Sequence, residues 1–274
     1  MMLRKAVGLP TAGEFGDPGV LLGLAVAAEE HGWDGVFLWD HVLYHEPSWP
    51  VANPTVVLGA IAARTGRIRL GALLTALPRR RVPVVARETV SLDRLSAGRL
   101  VFGAALGSMD AEYAAFGEDP ALPVRAAKLD ESLDALTRLW SGEPVTFRGR
   151  HVVVDGATMR PAPVQRPRIP VWCAGRWPRR AGFRRAARWD GAVPTFAGYG
   201  RDAAPVPVGE FAAAVEFLRA ERGSLAGFDI ALEGRDDRQD PAAYAAAGLT
   251  WWIEALGWWR GGVAGARARI AAGP

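Results

Sequence analysis

The sequence predicts an α/β protein closed into a (β/α)8 barrel, with an excursion after its fourth helix. Three observations carry that expectation. Short apolar, β-rich runs alternate with longer helical patterns about eight times along the 274 residues. Such alternation forces parallel strands, because a crossover helix returns the chain to the same edge of the sheet. The signature of the competing open, doubly wound sheet is missing: the nearest match to G-x-G-x-x-G is Gly103-Ala-Ala-Leu-Gly107, with the wrong spacing, and no G-x-x-x-x-G-K-[ST] occurs. Length and number of units favour the closed TIM-type barrel.

Each unit has its own local reasons. Lys5 to Leu9 reads as the first strand; Asp17-Pro18 opens a helix, with proline at its first position, and Gly32 ends it. Val36 to Trp39 is a second strand, and Asn53-Pro54 opens a second helix that stops at Gly66. Ile68 to Thr75 reads as strand three, Pro83 to Leu95 as helix three, and Leu100 to Leu106 as strand four. Val124 to Trp140 is an amphipathic helix stopped at Gly142. The alternation then breaks over about residues 143–167, where FRGRHVVVDG lies between prolines and suggests a small hairpin. It resumes with a strand from Ile169 to Ala174, an arginine-rich helix up to Trp189, a short strand from Gly191 to Thr195 and a helix from Val208 to Arg222. Phe228 to Glu233, Pro241 to Ala247, Thr250 to Leu256 and Ala264 to Ala272 complete the series as strand, helix, strand and helix. No internal boundary appears, so residues 1–274 are expected to form one domain.

Composition narrows the function classes. Half the residues are hydrophobic, too many for a disordered chain, yet no run of about 18 apolar residues suggests a membrane span. The N-terminal apolar stretch is too short for a signal peptide, so the chain reads as cytoplasmic. Cys173 is the single cysteine, which excludes an internal disulfide and a cysteine metal cluster. The pI is 9.7 although the net charge is only +4, because arginine supplies nearly all the basic charge, Lys5 and Lys128 being the only lysines. The arginines are spread along the chain, without the basic stripe and interleaved aromatics of a nucleic-acid binder.

In a (β/α)8 barrel the chemistry sits at the C-terminal ends of the strands. Strand two ends in Trp39-Asp40-His41, strand three runs into Arg79-Arg80-Arg81, and strand four ends in Leu106-Gly107-Ser108. Strand five ends in Cys173-Ala174-Gly175-Arg176-Trp177. Metal ligands are sparse on this rim and the G-x-S-x-G nucleophile elbow is absent. Aromatics, arginines and a glycine-containing turn suit a planar, anionic cofactor instead. The Gly175-Arg176 turn, opening a helix near Pro178, reads as a phosphate cradle. Alternation places only one of Trp251 and Trp252 inside the barrel.

The strings GWDGVFLWDHV, RLGALLTALPRRRVPVVARETVSLDRLSAGRLVFGAALG, AAKLDESLDALTRLWSGEP and RPRIPVWCAGRWPRRAGFRRAARWDG, in this order and spacing, resemble the bacterial luciferase-like superfamily. They are most similar to its single-chain flavin- or deazaflavin-dependent oxidoreductases. The most specific string runs from Leu92 to Arg99, and the resemblance spans most of Leu3 to Gly191 plus the last strand.

That resemblance implies a barrel with an insertion after the fourth helix, and coenzyme F420 (first choice) or FMN lying across its mouth. It implies a non-prolyl cis peptide at Leu73–Leu74 behind the cofactor ring. The cofactor contacts it implies are Trp39, Leu73, Leu74, Thr75, Leu106, Gly107, Ala174, Gly175, Arg176 and Trp177. His41 is the expected proton donor or acceptor, with Asp40 orienting it or bonding a backbone turn. A small organic substrate, a separate flavin or F420 reductase and a homodimer are the expected partners. The loops from Tyr44 to Pro50, Tyr113 to Pro123 and Ala197 to Pro207 are expected to shape the substrate pocket. Two positions depart from the family pattern: Leu106 stands where luciferase-type enzymes have arginine, and Ala174-Gly175-Arg176-Trp177 replaces a Gly-Ser-Gly turn. Hydride transfer to the substrate, oxygen activation by FMN, and a non-catalytic barrel serving as a partner subunit all stay open.

Overall fold

A computed structural model of the protein describes residues 2–200 and 204–274. Its first half comprises strands β1 (Arg4–Leu9), β2 (Gly35–Leu38), β3 (Arg69–Ala72), β4 (Thr75–Ala76) and β5 (Phe102–Ala105). Between them lie helices α1 (Pro18–Glu30), α2 (Pro54–Arg64) and α3 (Val82–Leu95), followed by α4 (Ala111–Ala114) and α5 (Leu122–Leu139). The second half contains β6 (Pro144–Arg148), β7 (Val153–Thr158), β8 (Val171–Trp177), β9 (Gly191–Phe196), β10 (Asp229–Gly234) and β11 (Trp251–Ala255). Its helices are α6 (Arg180–Ala186), α7 (Val208–Arg222), α8 (Pro241–Ala246) and α9 (Gly262–Ala271).

The helix starts have the chemistry the sequence implies. Asp17 caps α1 by accepting from the Gly19 amide at 2.6 Å, and Asn53 caps α2 by accepting from Thr55 at 2.9 Å. Asp240 does the same for α8 through Ala242 at 2.9 Å. Each cap is followed by a proline whose missing N–H has no intrahelical partner to lose.

The strands pair in parallel in the order β3-β2-β1-β11-β10-β9-β8-β5-β4. The Val101 amide donates to the Leu70 carbonyl at 2.9 Å, and Leu70 bridges Leu100, which brings the two edges together. The third stave is not the continuous strand expected over residues 68–75. β3 pairs with β2 and β4 pairs with β5, and between them Leu73–Leu74 is a cis peptide. The stave therefore changes neighbours at these two leucines.

Side-chain alternation sorts the apolar residues into two layers. Inside the barrel lie Ala6, Phe37, Val101, Trp172, Val193, Ala231, Trp251 and Ile253. Phe37, Trp172 and Trp251 form an aromatic triangle there, with centroids 5.5–5.9 Å apart. Trp252 faces outward into the larger layer between strands and helices, as alternation requires. The excursion is an antiparallel β6–β7 hairpin against α5, whose Glu131 accepts from the amides of Arg150, His151 and Val152. The chain after it is held by Asp93, fully buried in the last turn of α3, which accepts from Val164 and Gln165. The last turn of α3 lies at the end of the barrel opposite the strand C-termini, so this segment does not build the mouth. Among the described residues no helix is long and apolar enough to cross a membrane.

Candidate active site

The mouth of the barrel opens into a cleft of ≈ 1190 Å³. Its walls come from the chain after β2 (Trp39, Asp40, His41), the β3–β4 junction (Leu73, Leu74) and the chain after β5 (Leu106, Gly107). The far wall is the end of β8 with the start of α6: Ala174, Gly175, Arg176, Trp177, Arg179 and Gly182. A second chamber of ≈ 170 Å³ shares Trp39, Leu73, Leu74 and Thr195 with the cleft and reaches down to Phe37, Ile253 and Glu233. Every expected cofactor contact except Thr75 thus lines one continuous mouth. Thr75 points outward instead, into a small pocket with Arg80, Glu88 and Thr89. The reason is register: Ala76, the next residue, takes the inward position.

His41 lies at one end of the cleft, its ring edge-on to Trp39 and Tyr44 at 5.9 and 5.2 Å. Its Nδ1 is 3.3 Å from Glu112 Oε1, a carboxylate on α4 that is only 2% exposed. The same oxygen accepts from the Val42 amide at 2.6 Å and the Leu43 amide at 3.3 Å, while Oε2 accepts from Arg79 Nη1 at 2.6 Å. Burial alone would raise the Glu112 carboxyl. Hydrogen bonds from His41 and Val42, with the charges of Arg79 and His41, outweigh it and hold the group down at about 2.

Asp40 does not orient the imidazole. Its carboxylate accepts from the Ala76 amide at 3.0 Å and from Arg80 at 2.6 and 3.3 Å, and Arg79 donates to its carbonyl at 2.7 Å. Of the two expectations for Asp40, the backbone turn is the one the geometry contains. Arg79 and Arg80 are consumed in these pairs, and Glu112 occupies the orienting position expected of Asp40. Nothing local in the sequence marks Glu112: it is 71 residues from His41.

At the other end, β8 runs three residues further than the sequence suggests. Gly175, Arg176 and Trp177 are strand, paired with Pro194, Thr195 and Phe196 of β9. The turn is therefore at Pro178-Arg179, not at Gly175-Arg176, and α6 begins at Arg180. A Cβ on Gly182 would stand 2.8 Å from Gly175 Cα and 2.9 Å from the Ala174 carbonyl oxygen, so these glycines let α6 sit directly on β8. Arg176 and Arg179 are exposed at the rim, whereas Arg185 is committed to Asp130 at 2.6 and 2.9 Å.

A guanidinium does stand beside Leu106, although the residue there is leucine. Arg125, delivered by α5, is 2% exposed and lies against the Leu106 and Gly107 carbonyls at 3.5 and 3.3 Å. It pairs with Asp110 at 2.6 Å and sits over the Tyr113 ring at 4.8 Å, and its buried Nε has no partner among the described residues. Tyr113 donates to the Leu106 carbonyl at 2.7 Å, and burial pushes its hydroxyl up to about 12, so it keeps that proton.

An aromatic wall flanks His41. Trp39 stacks on Trp259 at 5.6 Å, Tyr44 stacks on Trp49 at 5.7 Å, and Trp258 packs edge-on against Trp49 at 4.8 Å. Cys173 is fully buried in the layer between strands and helices, where desolvation raises its thiol to about 12; it is an inert packing residue. Among the loops expected to shape the substrate pocket, Tyr44, His45, Asp119, Pro120 and Ala197 line the cleft, and Tyr199 and Val206 line the chamber. Residues 201–203 of the third such loop lie outside the described residues.

The profile of the luciferase-like monooxygenase family matches residues 3–245. An F420-dependent glucose-6-phosphate dehydrogenase of Nakamurella multipartita is 37% identical over 169 residues, which is 60% of this chain and 49% of that protein. The chain thus spans about half the length of the curated relatives it matches. Among solved structures, an F420-dependent secondary alcohol dehydrogenase in complex with an F420-acetone adduct superposes with a TM-score of 0.78 at 17% identity, covering 93% of both chains. The monooxygenase RslO1 from Streptomyces bottropensis gives 0.71 at 26% identity, over 85% of this chain and 71% of that one. These likenesses bear out the fold read from strand–helix alternation, and the family match settles kinship: the chain belongs to the luciferase-like monooxygenase family.

Proposed function

We propose that this chain, working as one barrel domain, is an oxidoreductase that binds F420 across the barrel mouth and exchanges a hydride between it and a small organic substrate, with His41 moving the accompanying proton. One observation carries the reading: a single cleft is lined by an imidazole held by a buried carboxylate, by exposed Arg176 and Arg179 on the far wall, and by buried Arg125 beside Leu106. That polarity fits a flat redox ring with an anionic tail. The cleft is large for a small-molecule site, which typically measures about 300–1,000 Å³, and Arg125 in its lining keeps a buried Nε with no partner among the described residues. The curated relatives at 30–37% identity are F420-dependent enzymes, which favours the deazaflavin over FMN.

When bound, F420 supplies two-electron hydride chemistry. The chain's residues do the rest. Leu73, Leu74 and Trp39 would hold the ring, and the arginines would hold the tail. His41 would take the proton of a substrate hydroxyl as its hydride leaves, or give a proton to a carbonyl oxygen in the reverse direction, through Nε2, the nitrogen not facing Glu112. The aromatic wall excludes bulk water, which strengthens each of these polar contacts.

Titration with F420 and FMN, each oxidised and reduced, tests the cofactor assignment: tighter binding of F420 is expected, and binding of neither returns the chain to the non-catalytic reading. Secondary alcohols and sugar phosphates, the substrate classes named for the relatives, are the first to screen for F420 reduction. On the substrate found, His41→Ala is expected to lower turnover about 10²-fold or more with F420 affinity retained. Unchanged turnover would remove His41 from the chemistry.

A further inference from the structure

The geometry points to Glu112 as a positioning residue for His41: its carboxylate takes the Nδ1–H of the imidazole and thereby presents Nε2 to the cleft as the nitrogen that exchanges protons. The inference deepens the reading of His41 above and rests on it for its functional meaning.

Four contacts carry it. Glu112 is buried, and its Oε1 faces His41 Nδ1 at 3.3 Å. The same oxygen is anchored by the Val42 amide at 2.6 Å and the Leu43 amide at 3.3 Å, so it grips the backbone immediately after the histidine. Its other oxygen is anchored by Arg79 at 2.6 Å. An ionised carboxylate only accepts hydrogen bonds, so the facing ring nitrogen must carry the proton. The group is ionised throughout the neutral range because its carboxyl is held at about 2. The neutral imidazole is then the Nδ1–H tautomer, with the Nε2 lone pair facing away from Glu112. Arg79 makes the arrangement durable: it ties the carboxylate to the Asp40 carbonyl at 2.7 Å, so acid, arginine and the residue before His41 move together. A histidine whose far nitrogen is fixed by a carboxylate is a recurrent way to set tautomer and ring orientation.

The inference also explains α4. This short helix follows the cofactor-facing Leu106-Gly107 segment and carries Glu112 and Tyr113 side by side. One residue holds the His41 loop and the other holds the Leu106 carbonyl. The two ends of the proposed ring site are therefore referenced to a single turn of chain.

The test is ¹⁵N NMR of the histidine ring nitrogens in the full chain, without cofactor, at alkaline pH. Wild type is expected to show Nδ1 protonated and Nε2 bare at His41; the opposite tautomer overturns the inference whether or not any variant folds. Glu112→Gln is expected to lose that preference while F420 affinity changes by less than about twofold; an unaltered His41 signal also overturns it. On the substrate found in the screen above, the same variant is expected to lose kcat about tenfold with KM little changed. Its effect should vanish in a His41→Ala background, and a full additional loss there would make Glu112 a structural residue only. Normal turnover of His41→Ala would defeat the proton role of the histidine while the NMR result still decides what Glu112 does.

Discussion

Glu112 concentrates the acid sensitivity of the site in one side chain. Its carboxyl sits at about 2 against an ordinary 4.5, so it binds its proton less readily in the folded than in the unfolded chain. The stabilisation is therefore present above the ordinary value and is lost as pH falls from about 5 toward 2. Each tenfold difference in proton affinity between the two states is worth roughly 1.4 kcal/mol, which makes about 3 kcal/mol in all. Urea denaturation at a series of pH values should show a shallower slope in Glu112→Gln than in wild type, the remainder coming from other lowered carboxyls such as Asp236, also held at about 2, against burial, by Arg260 and Arg269. Equal slopes would mean that the anchored carboxylate contributes little to the native state. The histidine in this pair was legible in the sequence, because an imidazole ending an apolar strand at a barrel mouth is an unusual residue in a diagnostic place. Its partner was not. An acid in Asp110-Ala-Glu-Tyr looks like any polar loop, and only folding brings α4 across to the chain after β2. Asp40 drew the assignment by being adjacent in sequence, yet its neighbours in space are Arg80 and the Ala76 amide.

At the level of elements, the β8–α6 junction sets the shape of the wall proposed to hold the cofactor tail. The sequence placed a turn at Gly175-Arg176 because glycine before Pro178 resembles a helix entry. The pairing of Arg176 with Thr195 extends the strand past that point, and sequence reading cannot see which neighbour a strand will find. The third stave failed in the same way: an apolar run from Ile68 to Thr75 has the composition of one strand, but its halves pair with different partners. The glycines kept their importance with a changed reason. Gly182 is where the backbone of β8 touches α6, and an added Cβ would meet backbone atoms at 2.8 and 2.9 Å that cannot swing aside. Gly182→Val should therefore displace α6, cost about 1–3 kcal/mol, and weaken F420 binding, because Arg179 and the start of α6 move with it. Paired measurements of denaturation and F420 affinity check this; a stable variant with wild-type affinity would show that the close approach is dispensable.

For the molecule as a whole, the barrel divides labour between layers and between ends. The aromatic triangle of Phe37, Trp172 and Trp251 fills the interior below the mouth, so the cleft has a packed floor rather than a pore. No residue of the β6–β7 excursion lines the cleft or the chamber, and Asp93, which holds the chain after it, lies at the opposite end of the barrel. Architecture was legible because period and count repeat along the chain; the identity of the cleft walls was less so, because each wall is contributed by a different unit. Charge follows the same division. The net charge is only +4, so overall attraction for an anion is weak, and recognition has to come from local placement at the mouth. Arg176 and Arg179 are exposed there, within reach of solvent ions, whereas Arg125 is buried. Exposed pairs contribute about 0.2–1 kcal/mol each and are screened as the Debye length falls from about 10 Å at 0.1 M salt to about 3 Å at 1 M. F420 affinity should therefore weaken by up to about tenfold over that range, and Arg176→Ala should remove part of the salt dependence by abolishing one of the screened pairs. The tail-less deazaflavin, which carries no phosphate or glutamates, should bind with an affinity nearly independent of salt. If F420 and its tail-less analogue respond alike to salt, the arginines at the end of β8 do not hold the anionic tail, and the polarity assigned to the cleft is wrong.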